Sequence, residues 1–221
     1  MQTSRRSILK GSILASLAGT MGATAMSASA AEKQAALPKK EYDLVICGLG
    51  IGGIVTAIRA AQDGLKPVIL EKMSSASGNT IYSAGFMLGV NTKMQQEKKL
   101  ETGDTVDKFY EDMMKVSQGR GDPKLTRLVA EKADETLNWL HDYVGVKYAV
   151  GMKLVWPMLQ RAHLTIGEKK PGGTQLMLYL LAKAKELNVP IVYNAKAVEL
   201  LDNPQNGKVI GVKVKSKEGF E

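Results

Sequence analysis

Hydrophobic and polar positions change period several times after residue 41. Tyr42 to Cys47 is a short apolar run, β-branched at Val45 and Ile46, and it predicts a strand. Glycines follow at once, at 48, 50, 52 and 53. From Ile54 to Gln62 the apolar residues Ile54, Ala57, Ile58 and Ala61 recur at three- and four-residue intervals, which predicts a helix. Asp63-Gly64 ends it, Gly64 suiting a left-handed cap. Pro67 to Leu70 predicts a second strand, closed by Glu71.

Further along, 104–117 reads as a helix that Asp104 caps, with Asp107 three residues later. Asp122-Pro123 opens another, proline fitting a first helical turn, and Leu125, Leu128, Val129, Leu137 and Leu140 give it an apolar face. Pro171-Gly172-Gly173-Thr174 precedes a helix striped by Leu176, Leu180, Leu181, Ala184 and Leu187, for which core packing is sufficient reason. Val189 to Tyr193 and Ala197 to Leu201 predict strands, and Asn206-Gly207 a hairpin turn into Val209 to Lys215. The fold class this implies is α/β: a parallel, Rossmann-like dinucleotide-binding sheet with helices on both faces, a helical insertion around 91–170 and a β-hairpin.

Residues 1–30 carry an address rather than a fold. Ser4-Arg5-Arg6-Ser7-Ile8-Leu9-Lys10 matches the twin-arginine export pattern, a weak apolar stretch runs from Ile13 to Ala25, and Ala28-Ser29-Ala30 forms a small-residue cleavage site. The stretch is too short and too mild for a stable membrane span. Cleavage is expected after about Ala30, delivering the protein to the periplasm or beyond. That route carries folded proteins, so it favours one loaded with a cofactor. Residues 31–40 read as a linker, and 41–221 as the folded part.

Composition narrows the rest. The formal charge of +8 falls to about +5 once the signal is set aside, which suits a solvated surface with scattered lysines. No stretch interleaves basic and aromatic residues, so nucleic acid is not an expected partner. The single cysteine, Cys47, sits in the first strand and reads as a small core residue; with His141 and His163 the only histidines, no metal site is expected.

The glycines carry the chemistry. Gly48, Gly50 and Gly53 satisfy G-x-G-x-x-G between a strand and a helix, with an acid closing the second strand. Gly48 allows a tight turn, Gly50 lets a pyrophosphate approach the backbone, and Gly53 lets helix and sheet pack closely. The helix N-terminus offers free N–H groups and partial positive charge to phosphates. Glu71 is placed to accept ribose hydroxyls. The turn alone does not choose between dinucleotides.

Glu71-Lys72-Met73, Ser77-Gly78-Asn79-Thr80 and Ser83-Ala84-Gly85 resemble the FAD-binding segment of the fumarate reductase/succinate dehydrogenase flavoprotein family, above all its soluble, exported flavocytochrome c type. The resemblance implies FAD. It puts Gly48, Gly50, Gly52 and Gly53 at the pyrophosphate, Glu71 at the ribose with Lys72 following it in the cofactor site, and Ser77, Gly78, Asn79 and Thr80 in the loop beside the flavin. It puts Ala84 and Gly85 in a strand under the ring, and backbone near Ala197 and Val198 at the adenine. Membrane-bound members bond FAD covalently through a histidine near this loop; Asn79-Thr80 stands here instead, implying non-covalent FAD.

The same resemblance sets Val150-Gly151-Met152 and Arg161-Ala162-His163 near the active-site cleft, making His163 a candidate substrate contact. The family usually continues with Arg-Pro, whereas Leu164-Thr165 follows here. The implied activity is reduction of a carbon–carbon double bond in a small unsaturated carboxylate, with electrons from a separate cytochrome or quinol-linked partner. The chain is expected to be incomplete at its C-terminus, with catalytic residues and the proton donor beyond it. The alternatives are a ketosteroid dehydrogenase-like flavoenzyme and a truncated, non-catalytic FAD-binding module.

Overall fold

The computed structural model describes residues 42–76, 78–100, 103–154, 159–168, 172–216 and 219–220. The export signal, the linker and Ser77 lie outside the described residues.

The first unit is β1 (Leu44–Cys47), α1 (Ile51–Gln62) and β2 (Pro67–Leu70). β1 pairs parallel with β2, Leu44 opposite Pro67 and Cys47 opposite Leu70. A late strand, β6 (Ile191–Val192), joins the far edge of β2, giving the order β1-β2-β6. Every residue of β2 is buried, as a central parallel strand requires. Alternation sends Leu44, Ile46, Ile69 and Ile191 to one face, where they meet α1 and α6 (Gly173–Glu186) through Ile54, Ala57, Ile58, Leu176, Leu180 and Ala184.

The other face differs from expectation. Val45, Val68, Leu70 and Val192 pack against Ala195, Val212 and Val214, so a hairpin covers it rather than a helix. The hairpin is β7 (Lys196–Asp202) and β8 (Val209–Ser216), with β9 (Gly219–Phe220) beside it. Cys47, the last residue of β1, falls on this face by alternation. It is exposed, not a core residue.

Between these halves lie α2 (Asn79–Tyr82), β3 (Phe86–Leu88), α3 (Lys93–Glu97), α4 (Val106–Val116) and α5 (Pro123–Trp139). A π-turn (Leu140–Val144), β4 (Lys147–Met152) and β5 (Ala162–Ile166) complete the stretch. The insertion expected as helical to about 170 is thus helical only to Val144. Beyond it, β4 and β5 form an antiparallel sheet with β3, in the order β3-β5-β4.

Capping decides two helix starts. Asp122 caps α5 by accepting from Lys124 and Leu125 N–H, with Pro123 behind it as expected. α4 begins later than the pattern suggested, because Thr105 is its cap and accepts from Lys108 N–H. Asp104 is instead drawn into an ion pair with Arg161. On α5, Leu125, Leu128 and Val129 are exposed; the helix buries Ala130 and Leu137, and alanines allow close approach to α4.

Arg161 is the electrostatic centre of this region. Its Nε and Nη2 bind Asp104, Nη2 also reaches Asp112 Oδ2 at 2.8 Å, and the guanidinium stands 4.9 Å from the Phe109 ring centre. Burial works against its charge, yet the two carboxylates raise its pKa overall. Removing one partner of such a group strands a buried charge. Arg161→Leu should therefore lower unfolding free energy by about 3–5 kcal/mol in urea, and adding Asp104→Asn should recover part of the loss.

His163 lies fully buried in β5. Its Nδ1 is 2.9 Å from the Arg161 carbonyl, its Nε2 is 2.8 Å from Thr92 Oγ1, and Tyr148 meets its ring edge-on at 5.9 Å. Burial lowers its pKa below the ordinary 6.5, so the folded protein keeps the ring neutral where the unfolded chain protonates. Its contribution to stability is complete above that value and is lost as pH falls through it, by up to about 1.4 kcal/mol per pH unit. Urea midpoints at pH 7.5 and 5.5 should show the drop, and His163→Asn should flatten it.

Candidate cofactor site

The site is built at the carboxyl ends of the parallel strands, the ligand end of open α/β sheets. Gly48 turns the chain out of β1 at φ +106°, and its N–H donates to the Leu70 carbonyl at 2.8 Å. Leu49 is fully buried, so the turn is anchored by an apolar side chain. Gly50 takes the N-cap position of α1, with no side chain to cap it. α1 starts at Ile51, not Ile54, because the glycines at 52 and 53 are its first turn and hide it from a hydrophobic pattern.

Each glycine can be tested by adding a Cβ. At Gly53 it would collide with the Gly48 carbonyl oxygen and stand 3.2 Å from Ile46 Cγ2. At Gly52 it would meet nothing within 4 Å, and at Gly50 only Thr80 Oγ1 at 4.0 Å. One glycine therefore sets the helix against the strand, while the others leave a bare, open backbone surface. That surface suits a pyrophosphate.

Glu71 is buried at the end of β2 and acts differently from a free ribose acceptor. Its Oε2 accepts from Leu49 N–H at 2.8 Å and its Oε1 from Met73 N–H at 2.8 Å. A carboxylate has about four acceptor positions, so two such bonds leave capacity for hydroxyls. Lys72 beside it is exposed.

Gly78 (φ +91°) caps α2, which holds Asn79 and Thr80. Thr80 Oγ1 accepts from Ile51 N–H at 3.1 Å, so this loop reaches the start of α1. Ala84 and Gly85 precede β3 rather than lying in it: Ala84 is exposed, and a Cβ on Gly85 would strike the Gly172 backbone. Gly173 in turn leaves no room for a Cβ beside the Thr80 carbonyl. The Gly172-Gly173 pair was visible in the sequence, but its tight packing on residues 80–85 was not.

Val198 lies in β7 at a bulge. Ala197 pairs with Val214 and Glu199 with Lys213, so the register passes over Val198, which is 43% exposed. Residues just before it are tied to the site, since Ala195 N–H donates to the Glu71 carbonyl and Asn194 N–H to that of Met73. His163, the candidate substrate contact, is not with this group; its buried ring is committed to packing. An open cavity of about 540 Å³ lies at the opposite, amino ends of the strands, lined by Tyr42, Lys66 and Pro190 among others.

This turn on a parallel βαβ unit, braced by an acid from the second strand, defines a dinucleotide-binding α/β protein. The chain belongs to the FAD binding domain family, whose model matches residues 43–220. It is 30% identical over 187 residues to "Fumarate reductase (cytochrome)" of Shewanella frigidimarina, covering 83% of this chain and 32% of that protein. The open conformation of a flavocytochrome c3 fumarate reductase superposes with a TM-score of 0.74 at 28% identity, over 83% of this chain and 32% of the other. A 3-ketosteroid-Δ4-(5α)-dehydrogenase from Rhodococcus jostii superposes at 0.70 with 25% identity, over 83% and 44%. The chain thus spans about a third of the length of its fumarate reductase relatives.

Gly53→Ala should cost about 1–3 kcal/mol through overpacking between α1 and the turn and should weaken FAD binding with it. Gly52→Ala, with open space, should leave stability within about 0.5 kcal/mol while still hindering the cofactor. Urea unfolding alongside FAD titration of both variants checks the contrast.

Proposed function

We propose that this chain is the FAD-binding part of an exported oxidoreductase that reduces the carbon–carbon double bond of an unsaturated carboxylate such as fumarate or a related enoate. The observation that supports it most is the convergence of the Gly48–Gly53 turn, Glu71 and the Gly78–Thr80 loop at the carboxyl ends of β1 and β2. The bare glycine surface leaves open space for a pyrophosphate against the first turn of α1.

Gly48, Gly50, Gly52 and Gly53 would hold the pyrophosphate against the first turn of α1. Glu71 would take ribose hydroxyls while bracing Leu49, with Lys72 alongside. Ser77, Gly78, Asn79, Thr80, Ala84 and Gly85 would run toward the flavin, and the Val198 backbone would meet the adenine. FAD, when reduced, supplies a hydride from N5. With no histidine at the loop, the flavin is held non-covalently. Arg161 and His163 are committed to packing, so the acid that protonates the second carbon is sought elsewhere in the protein. Electrons would come from a separate cytochrome or quinol-linked donor, after export through the twin-arginine signal. No helix among the described residues is long and apolar enough to cross a membrane.

The purified protein should retain FAD that passes into the supernatant on acid precipitation, and the whole enzyme should oxidise reduced viologen when fumarate or another enoate is added. Protein without affinity for FAD, or flavin held in the acid pellet, contradicts the reading. Ketosteroid oxidation without enoate reduction favours the dehydrogenase likeness, and bound FAD without turnover on either favours a binding module.

A further inference from the structure

We propose that the seam between α6 and β5 is an internal water site, bound by Thr165 Oγ1, Gln175 Oε1 and the Tyr148 hydroxyl. The proposal goes beyond the FAD reading and does not depend on it.

α6 lies along β5 through three ties. The Thr165 carbonyl accepts from Gly172 N–H at 2.9 Å, and the Ile166 carbonyl from the Tyr179 hydroxyl at 3.1 Å. Between them the Gln175 side chain lies over Gly167, where an added Cβ would collide with its amide. The start of the helix also seats α2. Thr174 Oγ1 donates to the Ile81 carbonyl at 2.9 Å and Gly173 N–H to the Ser83 carbonyl at 3.0 Å, so α2 is wedged against the N-terminus of α6.

The strand side of the seam is polar. Thr165 stands opposite Tyr148 of β4 and two residues from His163, so alternation puts all three side chains on one face. Tyr148 packs on the core cluster that includes Leu176 and Met177 of α6, so this is the face turned to the helix. His163 has its partners, Thr92 Oγ1 and the Arg161 carbonyl. The Tyr148 hydroxyl and Thr165 Oγ1 are buried with no hydrogen-bond partner, and so is Gln175 Oε1 in the first turn of α6. Thr165 is fully buried and Gln175 is 8% exposed. Among the described residues these are the only buried side-chain polar atoms left so, and all three belong to this one seam.

A buried polar group without a partner is costly, and nearly all find one in protein or in ordered water. The hydroxyls need an acceptor and the amide oxygen needs a donor; water is both. Two steps along a strand span about 7 Å, so Thr165 and the amide over Gly167 lie within reach of one or two waters. Several polar partners are what make a buried space wet rather than dry. The water thus joins β5 to the helix on which the 80–85 segment rests.

A high-resolution crystal structure of the purified protein should show solvent density about 2.8 Å from each of the three atoms. Tyr148→Phe and Thr165→Val keep shape and each remove one hydroxyl. A hydroxyl bonded to water is lost at a cost, so each variant should lower Tm by about 2–4 °C. Thr165→Val combined with Gln175→Met should lower it by less than the two single changes added together, because the water leaves with its partners. A buried hydroxyl without any partner is better removed, so a rise in Tm for either single variant overturns the proposal. A dry seam in the crystal, or a direct bond between the Thr165 and Gln175 side chains, overturns it as well.

Discussion

Helix α1 crosses the turn after β1 so closely that the Gly48 carbonyl oxygen excludes any side chain at Gly53. That approach fixes where the first turn of the helix points. It also leaves Leu49 no direction but inward, so the turn is pinned by an apolar anchor on one side and by the Gly48 bond to Leu70 on the other. The surface between them is bare backbone. A chain with an ordinary residue at 53 would have to lift the helix, and the anion-binding amides would move with it.

Around this contact the protein arranges supports rather than free ligands. Glu71 spends two acceptor positions on the Leu49 and Met73 amides, tying the second strand to the turn. α2 ties the turn to α6. The hairpin β7–β8 covers the second face of the sheet with Val212 and Val214, and a bulge takes Val198 out of its register. The Arg161–Asp104–Asp112 cluster and the buried His163 belong to a separate task, holding β5 and its neighbours in place.

Much of this was legible in the sequence because it is local. The βαβ unit, the Asp122 cap, the α6 stripe and the Asn206-Gly207 turn all depend on residues within a few positions of one another. What escaped depends on distant partners. Asp104 looked like a helix cap and is claimed by Arg161, 57 residues on. Cys47 looked buried because its strand is apolar, but it is the strand's last residue and is exposed. The hairpin at 197–215 was legible by itself, but not that it, rather than a helix, packs on the second face of the sheet. At the site, the glycines declared themselves, while Glu71's bracing role and the Thr80 bond required the fold to bring residues 22 and 29 apart together.

The wedge of α2 against α6 carries a consequence for the order of folding. Thr174 and Ile81 are joined across 93 residues, and the glycines at 172 and 173 seat on the 80–85 segment. Contacts of such long separation close late, because the loop entropy must be met before they return any stabilisation. The β1-α1-β2 unit, with its turn, can form from residues 44–71 alone, but the segment 80–85 is seated only when α6 has been made and docked. That side of the nucleotide cradle is therefore among the last described parts of the chain to close, although the glycine fingerprint is made early.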